Sequence, residues 1–152
     1  MGFNNLLKSL FGDKSTRDMK HIQPIVEKVK AAYPEIKALT NDQLRERTKE
    51  LQQQLQDAVK EEKAKIAELK ATVEDTPIDE REDIFNQIDK LEKVVLDKYE
   101  VVLNEILPVA FSIMKDTARR FAENDEVVVT ANDFDRELAA TKDFVRIEDD
   151  KA

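Results

Sequence analysis

The side chains of this sequence that could do chemistry are almost all carboxylates. The chain has 33 Asp and Glu residues, but it has one histidine, His21, and no cysteine. A carboxylate becomes a general acid or base when a pocket raises its pKa, and nothing in the sequence indicates such a pocket. A transition-metal site normally takes several nitrogen or sulfur ligands, so a single histidine predicts none. We therefore predict no catalytic, cofactor-binding or metal-binding residue within this chain.

Nucleotide-binding and nucleophilic motifs are also missing. A phosphate-binding loop needs several glycines together with a lysine and a Ser or Thr. The only glycines here are Gly2 and Gly12. Neither a Ser-His-Asp nor a Cys-His arrangement can be built from one histidine and no cysteine. The chain by itself is expected not to hydrolyse ATP.

The adjacent arginines Arg119 and Arg120 follow Phe111 and Met114 on one predicted helix. Cations near the C-terminal end of a helix complement its macrodipole, which is one interpretation of the pair. The other is that the pair contacts an acidic partner or a neighbouring domain. The sequence favours the first interpretation but leaves the second open.

Composition and charge limit the class of protein. Charged residues make up 38% of the chain, while Gly and Pro number only 2 and 4, which favours long helices. The net charge of −8 argues against a nucleic-acid-binding protein, which needs a basic face. No run approaches the roughly 20 apolar residues of a membrane span, and the N-terminus lacks the apolar region of a secretory signal. We expect a cytoplasmic protein without disulfides.

The first residues form an amphipathic pattern. Apolar side chains recur at helical spacing, Gly12 is well placed to end the helix, and the first 20 residues are net basic. Such a helix can lie in the interface of an anionic membrane, and it can equally pack on the rest of the protein. If the helix docks on a membrane or a partner, the docking residues are Phe3, Leu6, Leu7, Lys8, Leu10 and Phe11.

Helical periodicity continues after this segment. It predicts a helix over residues 16–32, with a kink near Pro24 and an end at Tyr33-Pro34. Thr40-Asn-Asp-Gln43 has the spacing of a capping box. The helix that it begins meets no Gly or Pro before Pro77.

A turn at residues 76–79 separates this helix from a second one of the same period, which runs from Ile84 to Ile106 and beyond. Two long amphipathic helices joined by a short turn should form an antiparallel coiled-coil hairpin. The dense charge between residues 60 and 100 is then the solvated flank of the hairpin, not an acidic ligand site. Pro108 predicts a kink in the second helix.

The C-terminal residues have a different character. Val127–Val129 and Phe144–Ile147 are typical of short strands, and residues 130–133 offer a capping start for a helix through Ala140. Two strands and one helix do not complete a sheet. The predicted fold class is mainly α, a long antiparallel coiled-coil hairpin plus a short, incomplete α/β piece at the C-terminus.

Several of these pieces resemble the N-terminal part of the SecA family, and they occur in the family's order. In typical members the pieces lie closer together, so residues 59–99 look like an insertion. The pieces are the apolar start through Leu10-Phe11-Gly12, the segment from Met19 to Tyr33-Pro34-Glu35, the turn Leu39-Thr-Asn-Asp-Gln-Leu44, and Leu107-Pro-Val-Ala-Phe111 with Arg119-Arg120.

The resemblance implies a fragment of a larger ATP-driven motor that pushes preproteins through the SecYEG channel. The residues that bind ATP and Mg²⁺ in the parent would lie after Ala152. This part would supply docking to the channel and to acidic phospholipids, with peripheral association at the cytoplasmic face of the inner membrane. It would also supply contacts for self-association, possible homodimer formation included, and the helical base of a helicase-like motor domain.

The resemblance and the periodicity together predict a division of the chain. The predicted parts are an amphipathic helix (1–12), N-terminal helices of the motor domain (13–58), an inserted charged hairpin (59–99), a kinked helix of the motor domain (100–124) and an incomplete strand-helix-strand segment (125–152). Periodicity alone also fits a different class of protein, a free-standing coiled-coil adaptor with an amphipathic membrane tether.

Overall fold

Helices make up most of the part of the chain that the structure describes. The computed structural model describes residues 14–152, with side chains from Asp18 onward. In chain order the helices are α1 (Lys14–Lys37), α2 (Asn41–Ala58), α3 (Lys60–Thr72), α4 (Arg81–Glu123) and α5 (Asp133–Ala139), with a 3₁₀ turn at Ile78–Glu80 before α4.

Contacts between residues divide the chain into two units. Unit 1 comprises the residues up to Leu39 together with Pro108–Val127. Unit 2 comprises Thr40–Leu107 together with Val128–Ala152. Helix α4 contributes residues to both units.

The predicted fold class is wrong in its C-terminal α/β piece. Between residues 14 and 152 the structure contains no strand, and isolated antiparallel bridges join Thr130 to Lys151 and Glu148 to Lys151. Val129 pairs with Ala152 through two backbone hydrogen bonds of 3.0 Å, whereas the Val128 carbonyl accepts a hydrogen bond from the Asn41 side chain. Phe144 is 81% exposed, which is unlike a residue of a half-buried strand. High β-propensity was not enough, because a strand needs a neighbouring strand to satisfy its backbone.

The first described helix is longer than predicted. Helix α1 contains both Pro24 and Pro34 and ends at Lys37, four residues after the predicted end at Tyr33. The predicted end rested on the preference of a residue that precedes proline for extended over helical backbone angles. Ile36, on the added turn, is 2% exposed, and Tyr33 is hydrogen-bonded to α4 within unit 1. Burial and this contact outweigh the local preference.

The start of α2 is confirmed in detail, whereas its length is not. Thr40 accepts a hydrogen bond from the Gln43 amide, and the Gln43 side chain accepts one from the Thr40 amide, as in a capping box. The predicted uninterrupted helix breaks at Val59, whose φ of −120° and ψ of 7° are not helical. Val59 is fully buried, so hydrophobic packing stabilises this break.

Helices α3 and α4 pack against each other in unit 2 with antiparallel chain direction. Lys70 pairs with Glu92 at 3.0 Å, while Glu62, earlier in α3, pairs with Lys98, later in α4, at 2.7 Å. The turn between the helices is closed by Arg81, whose guanidinium donates to the Thr76 and Glu74 carbonyls. The buried residues of this seam are Val59, Ile66, Ile88 and Val95, with Ala58, Leu69, Ile84, Leu91 and Tyr99 packed around them.

Helix α4 runs through Pro108 without ending. Proline has no N–H, so one backbone bond of the helix is lost at this position. The Ser112 hydroxyl lies 2.8 Å from the Pro108 carbonyl oxygen and 3.0 Å from the Val29 carbonyl oxygen of α1. Ser112 is fully buried, and its hydroxyl therefore ties α1 to α4 within unit 1.

Candidate functional site

Among the described residues of unit 1, the most buried charged group is Asp116 on α4. Its side chain is 0% exposed and accepts hydrogen bonds from three groups. Tyr33 Oη lies 3.2 Å away, Arg119 Nε 2.9 Å and Arg120 Nε 2.7 Å. The spacing of three and four residues places both arginines beside Asp116 on the helix surface. We call these residues, together with Leu39, the Asp116 cluster.

The structure places Arg119 and Arg120 against partners within unit 1. Arg120 is 8% exposed, and its Nη2 donates to the Leu39 carbonyl at 2.6 Å, just after the end of α1. Arg119 also donates to Glu123 at 2.6 Å. The Asp116 cluster therefore joins the end of α1 to the last turns of α4. Arg120 lies in the last turn of α4, and both sequence interpretations of the Arg119–Arg120 pair stay predictions.

The ionisation of Asp116 follows from two opposing effects. Burial raises the pKa of Asp116, but the hydrogen bonds from Arg119 and then Arg120 outweigh it, so that the pKa lies below its ordinary value. The same carboxylate raises the pKa of Arg119. Asp116 is thus an anion held by two cations at neutral pH, which suits a structural role and not that of a proton-accepting base.

A second ionic cluster, here called the clasp, lies in unit 2. Arg45 on α2 donates through Nη1 to Asp135 Oδ2 at 2.9 Å, through Nη2 to Asp135 Oδ1, and through Nη1 to the Thr130 carbonyl at 3.2 Å. Asp42 accepts from the Thr130 amide and hydroxyl, both at 2.8 Å. The clasp therefore fixes the start of the C-terminal segment to the first turn of α2.

Helix α5 begins at Asp133, and its capping residue Asp135 also belongs to the clasp. Asn132, not Thr130, caps the helix, and its side chain and that of Asp135 exchange hydrogen bonds with each other's backbone amides. The hydrogen bond from Arg45 lowers the pKa of Asp135 despite its burial. The backbone and hydroxyl hydrogen bonds of Thr130 lower the pKa of Asp42. Both carboxylates are therefore ionised at neutral pH.

A groove of about 1030 Å³ lies between α2 and α4 in unit 2. Apolar side chains of both helices line it, and two of them are largely exposed, Leu96 at 67% and Leu103 at 49%. The amide side chains at its rim carry no charge. The lining residues are Gln52, Leu55, Gln56, Leu96, Tyr99, Glu100, Leu103 and Asn104.

Several of these residues were not predicted from the sequence. Asp116 precedes Arg119 by three residues and Arg120 by four, which is an ion-pair spacing on a helix and was a readable signal. The sequence analysis interpreted Asp42 only as part of a capping box and did not single out Arg45. Their partners Thr130 and Asp135 lie 88 and 90 residues away, and no local pattern connects them.

The predicted docking residues Phe3, Leu6, Leu7, Lys8, Leu10 and Phe11 lie outside the described residues. Within residues 14–152, no group of three or more His, Cys, Asp or Glu side chains is arranged to hold a metal ion. None of the described helices combines the length and the apolar character needed to cross a membrane.

Comparison with known proteins identifies the family. The sequence profile of the SecA DEAD-like domain matches residues 7–140. The chain belongs to the SecA family. The protein translocase subunit SecA of Parabacteroides distasonis is 62% identical over 152 residues, and that of Bacteroides fragilis is 60% identical over the same length. The SecA of Christiangramia forsetii is 45% identical over 150 residues, which is 98% of the chain.

The chain is much shorter than these SecA proteins. It spans 14% of the length of the Parabacteroides and Bacteroides proteins and 13% of the Christiangramia protein. The first two matches cover the whole chain, so these SecA proteins also contain the segment corresponding to residues 59–99. No solved structure shows a significant match to the chain.

Proposed function

We propose that this chain is part of an ATP-driven motor that moves preproteins through the SecYEG channel. The observation that supports the proposal is the family match, which covers residues 7–140, together with 62% identity to a protein translocase subunit over the whole chain. The parent protein would bind ATP and Mg²⁺ through residues outside these 152. The chain itself contributes docking, self-association and support for the motor, and no catalytic group.

The docking element is the amphipathic segment at residues 2–11. Its apolar residues would enter the interface of a membrane with acidic phospholipids at the cytoplasmic face of the inner membrane, or contact the channel, while nearby lysines meet the lipid phosphates. This assignment rests on the pattern of Phe3, Leu6, Leu7, Lys8, Leu10 and Phe11 in the sequence.

Two matched variants of the full-length protein test the docking element. Leu6→Glu, Leu7→Glu and Leu10→Glu together place three charges on the apolar side, whereas Asn4→Glu, Asn5→Glu and Ser9→Glu place the same charges on the polar side. We expect the first variant to lose binding to vesicles containing acidic phospholipids and ATP-dependent preprotein translocation into SecYEG vesicles. The second variant should retain most of both. Equal losses in the two variants would show that net charge, not the apolar side, is what matters.

The groove between α2 and α4 is the surface that we assign to self-association, with a second copy of the chain as its occupant. Two copies of a protein of net charge −8 repel each other, so contact is favoured where few charges lie. Of the residues that line the groove only Glu100 is charged, and Gln52, Gln56 and Asn104 carry amides that both donate and accept. Such a rim can pair with its own copy across a twofold axis.

Sedimentation velocity of the full-length protein tests this assignment. Leu96→Glu with Leu103→Glu puts charges in the groove and should shift the protein toward monomers. Val101→Glu is the control, because Val101 is 58% exposed on the same helix but does not line the groove. A dimer that persists unchanged in the groove variant would rule the groove out.

Helix α3 and the paired first part of α4, residues 81–98, form an arm. We propose for it a role in self-association or partner binding. Deleting residues 60–98 tests it. Val59 and Tyr99 belong to the same packed cluster, so a short turn can join them. The deletion should alter oligomeric state or translocation. If both are unchanged, the arm has neither role.

A further inference from the structure

The turn between α3 and α4 combines exposed apolar side chains with concentrated negative charge. We call residues 74–85, which include this turn, the tip of the arm. Ile78 is 82% and Phe85 50% exposed, and Pro77 is exposed beside Ile78. The tip has one cation, Arg81, against six carboxylates, which gives it a net charge of −5. The six carboxylates are all exposed, and they are Glu74, Asp75, Asp79, Glu80, Glu82 and Asp83.

The rest of the arm, residues 60–73 and 86–98, has a balanced charge. It carries six carboxylates and seven lysines, and the ion pairs Lys70–Glu92 and Lys98–Glu62 join its two helices. Mixed charge of this kind is typical of a solvated helix surface. The tip departs from that pattern, because carboxylates greatly outnumber cations there and flank exposed apolar side chains in the sequence.

The backbone of the tip is fixed by hydrogen bonds. Arg81 donates through Nε to the Thr76 carbonyl at 2.9 Å and through Nη2 to the Glu74 carbonyl at 3.1 Å. The Glu80 amide donates to the Pro77 carbonyl at 3.0 Å. The one cation of the tip therefore serves to close the turn. A surface whose backbone is already fixed loses less conformational entropy when it binds a partner.

We propose that the tip docks on a lysine- and arginine-rich cytoplasmic loop of the membrane channel, with Ile78 as its apolar contact. This inference rests on the proposed function, because it takes the parent protein to work at that channel, and it specifies the partner of the arm. Cytoplasmic loops of membrane proteins carry an excess of lysine and arginine, which complements the negative charge of the tip. Complementary charges favour the encounter and fix its orientation, and a central apolar contact adds affinity.

Four other occupants fit the tip less well. Anionic phospholipids and nucleic acids have the same sign of charge as the tip and would be repelled. A second copy of the chain has a net charge of −8 and would also be repelled on approach. A preprotein presents segments of every charge as it moves, and a fixed anionic surface would hold back the basic ones.

Site-specific photocrosslinking of the full-length protein tests the proposal. A benzophenone amino acid replaces Phe85 in the tip or, as the control, Ala67, which is an exposed residue of α3 outside the tip. The protein is bound to SecYEG vesicles while it translocates a preprotein, and crosslinked peptides are identified by mass spectrometry. We expect crosslinks from position 85 to a cytoplasmic loop of the channel, close to its lysines and arginines. Position 67 should give at least about fivefold fewer.

Three further variants carry the crosslinker at position 85. Ile78→Ser removes the apolar contact at an exposed position. The charge variant of the tip combines Asp79→Asn, Glu80→Gln, Glu82→Gln and Asp83→Asn. Its matched control removes four exposed carboxylates from the rest of the arm, through Glu61→Gln, Glu68→Gln, Asp89→Asn and Asp97→Asn. We expect the two tip variants to lower the crosslinking yield about five- to tenfold, and the matched control to lower it less than about twofold.

Several results would overturn the proposal. They are the absence of crosslinks from position 85 to the channel, equal yields from positions 85 and 67, and crosslinks made mainly to the preprotein or to a second copy. A yield that the tip variants leave unchanged, or an equal loss in the charge variant and its matched control, would do the same. Translocation without crosslinks would refute this inference and leave the proposed function standing. If the unmodified full-length protein shows no ATP-dependent translocation, the proposed function fails and this inference fails with it.

Discussion

Tyr33 and Asp116 are 83 residues apart in the sequence, and the Tyr33 hydroxyl donates a 3.2 Å hydrogen bond to the Asp116 carboxylate. The contact joins the last turns of α1 to α4 inside unit 1. It brings an aromatic ring next to Lys115 and helps satisfy a fully buried anion. Removing Tyr33 would leave the buried Asp116 anion with one partner fewer, and removing Asp116 would leave the buried Arg120 with one partner fewer.

Replacing Asp116 with Asn should strongly destabilise unit 1. The change keeps the shape of the side chain but leaves the buried guanidinium of Arg120 without its anion. Breaking a buried pair in this way costs about 3–5 kcal/mol. Urea unfolding followed by far-UV circular dichroism measures the change in the free energy of unfolding. Glu123→Gln is the control, because the Arg119–Glu123 pair is exposed at its carboxylate and should contribute less than about 1 kcal/mol.

The stability of the folded chain should fall in acid, because three of its carboxylates have lowered pKa values. The pKa values of Asp42, Asp116 and Asp135 are all lowered by their partners. The unfolded chain therefore binds more protons than the folded chain just below the ordinary aspartate pKa of about 3.9. The stabilisation is present above that value and is lost as the pH falls through the lower folded values. Melting temperatures measured from about pH 7 to pH 2 should drop mainly below about pH 5.

The Asp116→Asn variant separates this cause from general acid denaturation. It has one fewer lowered carboxylate, so its melting temperature should be lower at neutral pH but should change less between neutral and acidic pH. A profile parallel to that of the parent chain would mean that Asp116 does not contribute to the acid sensitivity.

Local signals predicted some elements because the forces that form them are local. The capping box at Thr40 and Gln43 is an example, since its two hydrogen bonds span three residues. The break at Val59 and the absence of strands at Val127–Val129 were missed, because they depend on which distant residues are available to pack or pair. The same holds for the candidate sites. The spacing of Asp116 and Arg120 was visible, whereas the partner of Arg45 could only be found in the folded chain.

Val59→Ala tests whether packing stabilises the break between α2 and α3. Val59 is fully buried in the cluster that also contains Ile66, Ile88 and Val95. Losing two methyl groups there should lower the free energy of unfolding by about 2 kcal/mol. Val101→Ala, at a position 58% exposed, should change it by less than about 0.5 kcal/mol. Equal effects in urea unfolding would show that Val59 contributes no more than a surface valine.

We expect the ionic contacts of the clasp to hold the C-terminal segment to α2. Asp135→Asn weakens the paired hydrogen bonds from Arg45, one of which is 2.9 Å long. Hydrogen bonds to charged groups contribute about 1.5–3 kcal/mol, so amide hydrogen exchange in the segment should accelerate by about 10- to 100-fold. The Ala131 amide is the best reporter, because it donates to the Asp150 carbonyl at 2.7 Å within the same segment.

Asp133→Asn is the matched control for the clasp. It removes the same charge from the first turn of α5 at an exposed position, so any general effect of charge at the helix start is reproduced while the Arg45 contact is kept. The Asp42 hydrogen bonds to Thr130 remain in the single variant, and adding Asp42→Asn should therefore accelerate exchange further. If Ala131 exchanges at the same rate in Asp135→Asn and Asp133→Asn, the segment is held by its backbone pairing with residues 150–152 and not by the clasp. Charge then has only a minor role, and the three valines before Thr130 become the residues to vary next.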